Sequence, residues 1–158
     1  MTLDELNALP HEDAVDALYS CCGSSRWVDS IIARRPFQTD DELFSVADEA
    51  WRELGPTDWR EAFSHHPRIG AEVSGKEAAE QAGAQSAESS IRQDLARAND
   101  KYEERFGHTY IVCASGKSAE EMLAIANERL DNDPHIELRI AAEEQQKIMQ
   151  LRLRKLVS

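Results

Sequence analysis

Helix-start signals recur so often in this chain that they leave little room for any other architecture. Thr2-Leu3-Asp4-Glu5, Thr39-Asp40-Asp41-Glu42 and Ser118-Ala119-Glu120-Glu121 each set a hydroxyl three residues ahead of a glutamate. That spacing lets the hydroxyl accept a first-turn backbone N–H while the glutamate returns to the capping residue's own N–H. Asp133-Pro134 delivers the same message differently, pairing a side-chain cap with a proline whose missing N–H costs nothing in a first turn. It opens a long helix predicted over 134–156. Further helices are predicted near 12–22, 25–34, 40–54, 58–65, 76–83 and 89–105, with turns at Gly23, Pro36, Gly55-Pro56, Gly70 and Gly107. No linker, repeat or low-complexity tract interrupts the series, so residues 1–158 are expected to form a single all-α domain, a bundle of about eight to nine helices.

One stretch dissents. Thr109 to Gly116, "TYIVCASG", is rich in β-branched and aromatic residues and has the propensity of a strand. No second segment reads as its partner. It is therefore expected to be an extended, buried connector near 109–116, whose backbone donors and acceptors must find partners elsewhere. Neighbouring side chains and water can supply them, and so can a ligand rich in amide groups.

Charge narrows the function. Thirty acidic residues against eighteen basic ones leave a net charge of −12, which repels nucleic-acid phosphates and argues against DNA or RNA as a partner. Three cysteines, two of them the vicinal pair Cys21 and Cys22, match neither a disulfide framework nor a zinc signature, which points to a reducing, cytoplasmic setting. No apolar run reaches membrane-spanning length, and the acidic "MTLDELNALP" is unlike a secretory leader.

Two of the five histidines stand side by side in "FSHHPRIG", Phe63 to Gly70. Adjacent side chains point in different directions, whereas two metal ligands on one helix face need a spacing of three or four residues. No metal site is expected here. Pro67 bars the helical region for His66, which places that imidazole at a helix end, where it could exchange a proton near neutral pH. A packing or capping histidine is the plainer reading of the same residues. In the last helix, Ile148, Arg152 and Leu156 are spaced by four, so Arg152 rises from an apolar line while Arg154 points elsewhere. A guanidinium there needs a partner, or else it snorkels along the helix edge.

Five motifs in order carry a wider likeness: "HHPRIG", "EQAG" from Glu80, "NDKYEERFGHTYIVCASGKSAEEML" from Asn99, "ERLDNDP" from Glu128 and "EEQQKIMQLRLRKL" from Glu143. Together they resemble the 2-oxo-4-hydroxy-4-carboxy-5-ureidoimidazoline (OHCU) decarboxylases, the enzymes of the last step from urate to allantoin. The likeness runs from about Leu3 to the C-terminus and is dense after residue 63. It implies an all-α fold without cofactor or metal, usually dimeric, acting on the small molecule OHCU and releasing (S)-allantoin. The family's catalytic histidine maps to His66, its glutamate to Glu80 and its substrate-holding arginine to Arg152. Pro67, Gln81 and the segment Tyr110, Ile111, Val112, Cys113 and Ala114 map to substrate-binding positions, the last five through their backbone. Where the family often has serine three residues before the glutamate, this chain has Glu77. Glu88 in "SAES" is the rival for the glutamate's place. Glu80 is preferred because "EQAG" stands whole, and its distance to "NDKYEERFG" needs no gap.

Two other readings compete with this one. An acidic helical domain with a long amphipathic last helix suits a protein-interaction module, in which "HHPRIG" is a structural turn. The same three residues would also serve a lyase or racemase acting on another ureido acid.

Overall fold

A computed structural model describes residues 1–70, 75–85 and 88–158, with no strand among them. The helices are α1 (Leu3–Ala8), α2 (His11–Tyr19), α3 (Ser25–Ala33), α4 (Asp40–Arg52), α5 (Pro56–Phe63), α6 (Gly75–Glu80), α7 (Ala82–Gln85), α8 (Ser89–Phe106), α9 (Ala119–Arg129) and α10 (Pro134–Leu156). The all-α expectation holds, and α10 has the predicted bounds. The helix foreseen over 76–83 is instead two short pieces, α6 and α7, meeting at Gln81. Residues 71–74, between "HPRIG" and "EQAG", and Ser86-Ala87 of "SAES" lie outside the described residues.

The caps form where the sequence put them. Thr2 and Ser118 make complete capping boxes with Glu5 and Glu121. Thr39 accepts the Glu42 N–H, but the Glu42 carboxylate takes the N–H of Gln38, at 2.7 Å, one residue before the cap. Asp133 Oδ1 accepts the His135 N–H at 2.9 Å, just inside Pro134. At the far end of α8, Gly107 takes the left-handed conformation, φ 78°, that closes a helix at little cost to glycine.

The chain forms two compact units, Met1–Ala62 with Gln145–Ser158, and Phe63–Glu144. In the first, α2 packs on α3 and α3 on α4. Leu6, Leu18, Trp27, Ile31, Leu43, Ala47, Met149 and Leu153 are fully buried there. Each large apolar side chain so buried contributes about 1.5–3 kcal/mol. Trp27 also donates to the Ala47 carbonyl at 3.0 Å, so its indole N–H is not orphaned. The Trp59 ring tilts against Trp51 at 6.5 Å. The glutamines of α10 serve this unit as well: Gln146 and Gln150 both donate to Asp48, at 2.9 and 2.8 Å.

In the second unit α8 packs on α9 around Ile69, Leu95, Tyr102, Tyr110, Val112, Met122 and Ala126. The connector is buried as foreseen. Residues 109–114 run without a bend, and Tyr110 through Ala114 are each 8% exposed or less.

Candidate active site

The two histidines part company as the proline rule requires. His65 is exposed, and His66 and Pro67 are half-buried. The His66 N–H donates to the Phe63 carbonyl at 3.2 Å, so the chain turns directly off the end of α5.

The residues that follow are pinned at three points, all from motifs remote in sequence. The Arg68 guanidinium reaches Asp100 at 2.7 Å and Glu103 at 3.1 Å on α8. Asn99 Nδ2 donates to the Ile69 carbonyl at 3.1 Å from a fully buried position. Gln81 Oε1 accepts the Gly70 N–H at 3.1 Å, and Gly70 sits at φ 88°, a conformation costly for any residue but glycine. "NDKYEERFG" and "EQAG" therefore share one task, holding the turn that carries His66.

Glu80 closes α6 and is half-buried, and Gln81 beside it is buried. Glu88 is exposed and precedes α8 as its capping residue, without a side-chain cap bond. That is the solvated helix-start carboxylate the sequence suggested for it. Gly83 explains how "EQAG" comes against the connector. A Cβ built on it would stand 2.3 Å from the Lys117 carbonyl oxygen, an approach open only to glycine.

At Ile111 and Cys113 the connector's backbone partners are charged side chains. Arg129 donates to the Ile111 carbonyl at 2.7 Å, Glu144 accepts the Cys113 N–H at 3.0 Å, and Lys117 donates to the Cys113 carbonyl at 2.8 Å. Arg129 is itself clamped. Its Nε and Nη2 meet both oxygens of Glu137 between 2.5 and 3.0 Å, and the Tyr102 hydroxyl donates to the same carboxylate. The guanidinium also lies 5.0 Å from the Tyr110 ring centre. Burial pushes the phenols of Tyr102 and Tyr110 above the ordinary tyrosine range despite the nearby guanidinium. Burial is the largest single influence on Arg129 and lowers its pKa, but Glu137 together with Tyr102 and Tyr110 outweighs it and leaves the pKa raised. None of these ionic partners was singled out from sequence. Arg129, Glu137 and Glu144 read locally as ordinary helix charges and Lys117 as a turn residue before a cap, and "ERLDNDP" marked the Arg129 region without assigning it chemistry.

Arg152 belongs to the first unit. It is half-buried, and its Nη1 donates to the Ser20 carbonyl at the end of α2, at 3.3 Å. Arg154 does point elsewhere, over the Phe44 ring at 4.3 Å. The vicinal cysteines are buried nearby. Desolvation pushes the Cys22 thiol far up, with Arg152 pulling weakly the other way, so Cys22 is an inert thiol rather than a nucleophile. A cleft of about 380 Å³ in this unit is lined by Asp16, Tyr19, Ser25 and Asp29 among others, and holds none of the residues proposed for chemistry. Two carboxylates on its wall make it a poor seat for an anion. Among the described residues, no three His, Cys, Asp or Glu side chains are grouped as metal ligands are, and no helix is long and apolar enough to cross a membrane.

Known proteins match this chain along nearly its whole length. The OHCU decarboxylase family model aligns with residues 7–154. The uric acid degradation bifunctional protein TTL of Arabidopsis thaliana is 38% identical over 87% of this chain, which spans only 45% of that protein. A 2-oxo-4-hydroxy-4-carboxy-5-ureidoimidazoline decarboxylase of Haloferax volcanii is 30% identical over 97% of this chain and 94% of its own. A crystal structure of an OHCU decarboxylase in the presence of (S)-allantoin superposes with a TM-score of 0.82 at 38% identity, covering 90% of this chain and 97% of that one. With the fold matched and the family model aligned over residues 7–154, this chain belongs to the OHCU decarboxylase family.

Proposed function

We propose that this protein decarboxylates OHCU to (S)-allantoin in urate degradation, using its own side chains and no cofactor. The observation that carries this reading is local to the second unit. The turn of His66 is held to Gln81 through Gly70 and to α8 through Asn99, and Gly83 of the same "EQAG" lies against the Lys117 carbonyl, three residues beyond the buried segment 110–114. An interaction module has no use for such bracing of a half-buried imidazole.

The substrate bears a carboxylate and a hydroxyl on one ring carbon. When its bond to the carboxylate carbon breaks, the electron pair stays on the ring carbon and spreads into the conjugated carbonyl and imine, so the substrate is its own electron sink. The protein has to orient the ring and deliver one proton to one face of the neighbouring ureido-bearing carbon, while the hydroxyl carbon loses its O–H proton and becomes the ring carbonyl of allantoin. His66 supplies the proton, and the product's handedness follows from the face it occupies. Glu80, ionised beside the departing carboxylate, disfavours the ground state more than a transition state from which that charge is leaving. Arg152 holds an anionic or carbonyl oxygen of the substrate with its planar fork. Gln81 has its oxygen committed to Gly70, so its Nε2 is the end that donates to the ring, while Pro67 and the backbone of 110–114 line the pocket.

Residues 1–158 serve as one catalytic domain in this reading, supported by a family match that runs through both units. The protein works in the cytoplasm as a homodimer, with a small-molecule substrate and neither nucleic acid nor membrane as partner. The test is direct. Freshly generated OHCU is added to the purified protein in the presence of a chelator, and the absorbance decay and the handedness of the allantoin are followed. Faster decay with an excess of the (S) form is expected. Decay at the spontaneous rate giving racemic product refutes the assignment, and activity restored only by added zinc refutes the metal-free chemistry.

A further inference from the structure

The ionic side chains around the connector all bond the same edge of it. In an extended chain of trans peptides, the N–H and C=O of one residue face one side and those of the next face the other. Residues 109–114 run without a bend, and the only cis peptide among the described residues is Arg35-Pro36. Arg129 takes the carbonyl of Ile111, Glu144 the N–H of Cys113 and Lys117 the carbonyl of Cys113. These three groups belong to odd-numbered residues and occupy one edge. The other edge presents the N–H and C=O of Val112 and the N–H of Ala114. Among the described residues, no side chain or backbone group bonds these three.

We propose that Arg129, Glu144 and Lys117 are positioning residues that commit one edge of this segment to the protein, so that its other edge offers a donor–acceptor–donor run to the substrate. The complementary acceptor–donor–acceptor run is an imide-like edge: in OHCU the ring carbonyl, the ring N–H beside it and the oxygen on the hydroxyl carbon, which become the cyclic imide of allantoin. The inference rests on the proposed function for its ligand. A backbone edge without regular sheet partners is free to rotate each peptide, and rotation of one peptide by half a turn exchanges donor for acceptor. Charged partners suppress that exchange because they are selective: a guanidinium or ammonium only donates and a carboxylate only accepts. The Glu137 clamp fixes the plane of the Arg129 guanidinium and hence the direction of the Nη1–H that meets Ile111. A buried ion pair is often no more stabilising than apolar side chains of equal volume, so core packing alone gives little reason for this one. An apolar replacement could fill the space but could not aim a carbonyl.

The test compares Glu144→Gln, which keeps an acceptor for the Cys113 N–H, with Glu144→Leu, which keeps volume and removes it. Recognition of the ring acts in ground and transition states alike, so Glu144→Leu is expected to raise KM about 10- to 100-fold with a smaller change in kcat. Glu144→Gln should stay within about 3-fold of wild type. A merely structural role lowers the melting temperature and leaves KM of the folded enzyme unchanged. Lys117→Met, on the same edge but less buried, is expected to raise KM in the same direction and serves if Glu144→Leu does not fold. In parallel, titrating the 15N-labelled wild type with (S)-allantoin should shift the amide resonances of Val112 and Ala114 more than that of Cys113. Wild-type KM in folded Glu144→Leu or in Lys117→Met, or a largest shift at Cys113, overturns the positioning role. Absence of wild-type turnover overturns the decarboxylase reading instead, and the two failures are distinct.

Discussion

Replacing Gly83 by alanine sets two well-known effects against each other. Gly83 lies in α7, where alanine has the better helix propensity by about 1 kcal/mol, and propensity alone predicts a more stable protein. The structure predicts the reverse. The new Cβ would stand 2.3 Å from a backbone oxygen, the Lys117 carbonyl, and about 1 Å short of ordinary contact. A backbone oxygen cannot rotate away as a side-chain tip can, so either α7 or the turn at 115–117 has to move. Overpacking of this kind costs about 1–3 kcal/mol, which cancels the propensity gain or leaves a net loss of up to about 2 kcal/mol. For a chain of this size the melting temperature is then unchanged at the low end and lower by up to about 8 °C at the high end. The same shift displaces Glu80 and Gln81 relative to the connector. A displacement of about 1 Å in a positioned group can cost about 10²-fold in rate, and kcat/KM should fall on that scale. Thermal scans by circular dichroism and steady-state kinetics on folded protein are the assays. Gly55, where a Cβ meets nothing within 4 Å, supplies the control, and Gly55→Ala should leave the kinetics unchanged. A Gly83→Ala protein that melts at or above the wild-type temperature with unchanged kcat/KM refutes the reasoning.

Three other outcomes are expected. His66→Gln should remove about 10²–10⁴-fold of the acceleration and release allantoin of lower enantiomeric excess, while the exposed His65→Gln changes neither; equal effects in the two variants would return "HHPRIG" to a structural turn. Glu80→Gln should lower kcat far more than it lowers stability and Glu88→Gln should alter neither, and the opposite kinetic result moves the catalytic carboxylate to Glu88. In an alkaline titration, Tyr102 and Tyr110 hold their protons more tightly folded than unfolded. Their contribution to stability is therefore complete below the free-tyrosine value near 10 and is lost as pH rises above it toward the folded values. Absorbance at 295 nm should show both ionising together with the loss of helical signal, and two phenols titrating near pH 10 in intact protein would contradict their burial.

What could be read from sequence was what is decided locally. A capping box is a contact across three residues, and Thr2, Ser118 and the Asp133-Pro134 start of α10 were all legible for that reason. The break at Gln81 was not. Gln81 is committed to Gly70, Gly83 is pressed against Lys117, and neither partner leaves a mark near residues 76–83. The connector shows the same limit from another side. Its β propensity and burial were evident, but its partners lie 18 and 31 residues away in Arg129 and Glu144. Glu137, in the first turn of α10, reads as a carboxylate favoured by the helix dipole and is in fact fully buried against Arg129. The division into two units also has no compositional sign, because its boundaries fall at the end of α5 and inside α10.

That division separates the chain's natural reporters. Trp27, Trp51 and Trp59 are all three of its tryptophans, and all belong to the unit formed by Met1–Ala62 and Gln145–Ser158. Tyr102 and Tyr110 belong to the other, with His66, Glu80 and the connector. Intrinsic tryptophan emission thus follows the unfolding of one unit, while tyrosine absorbance weighted toward Tyr102 and Tyr110 follows the other. Coincidence of the two transitions is the usual criterion for all-or-none unfolding, and here it can be applied without attaching any label. The converse is practical: a preparation whose second unit had lost its fold could keep native tryptophan emission, so that signal alone does not certify an intact site for His66.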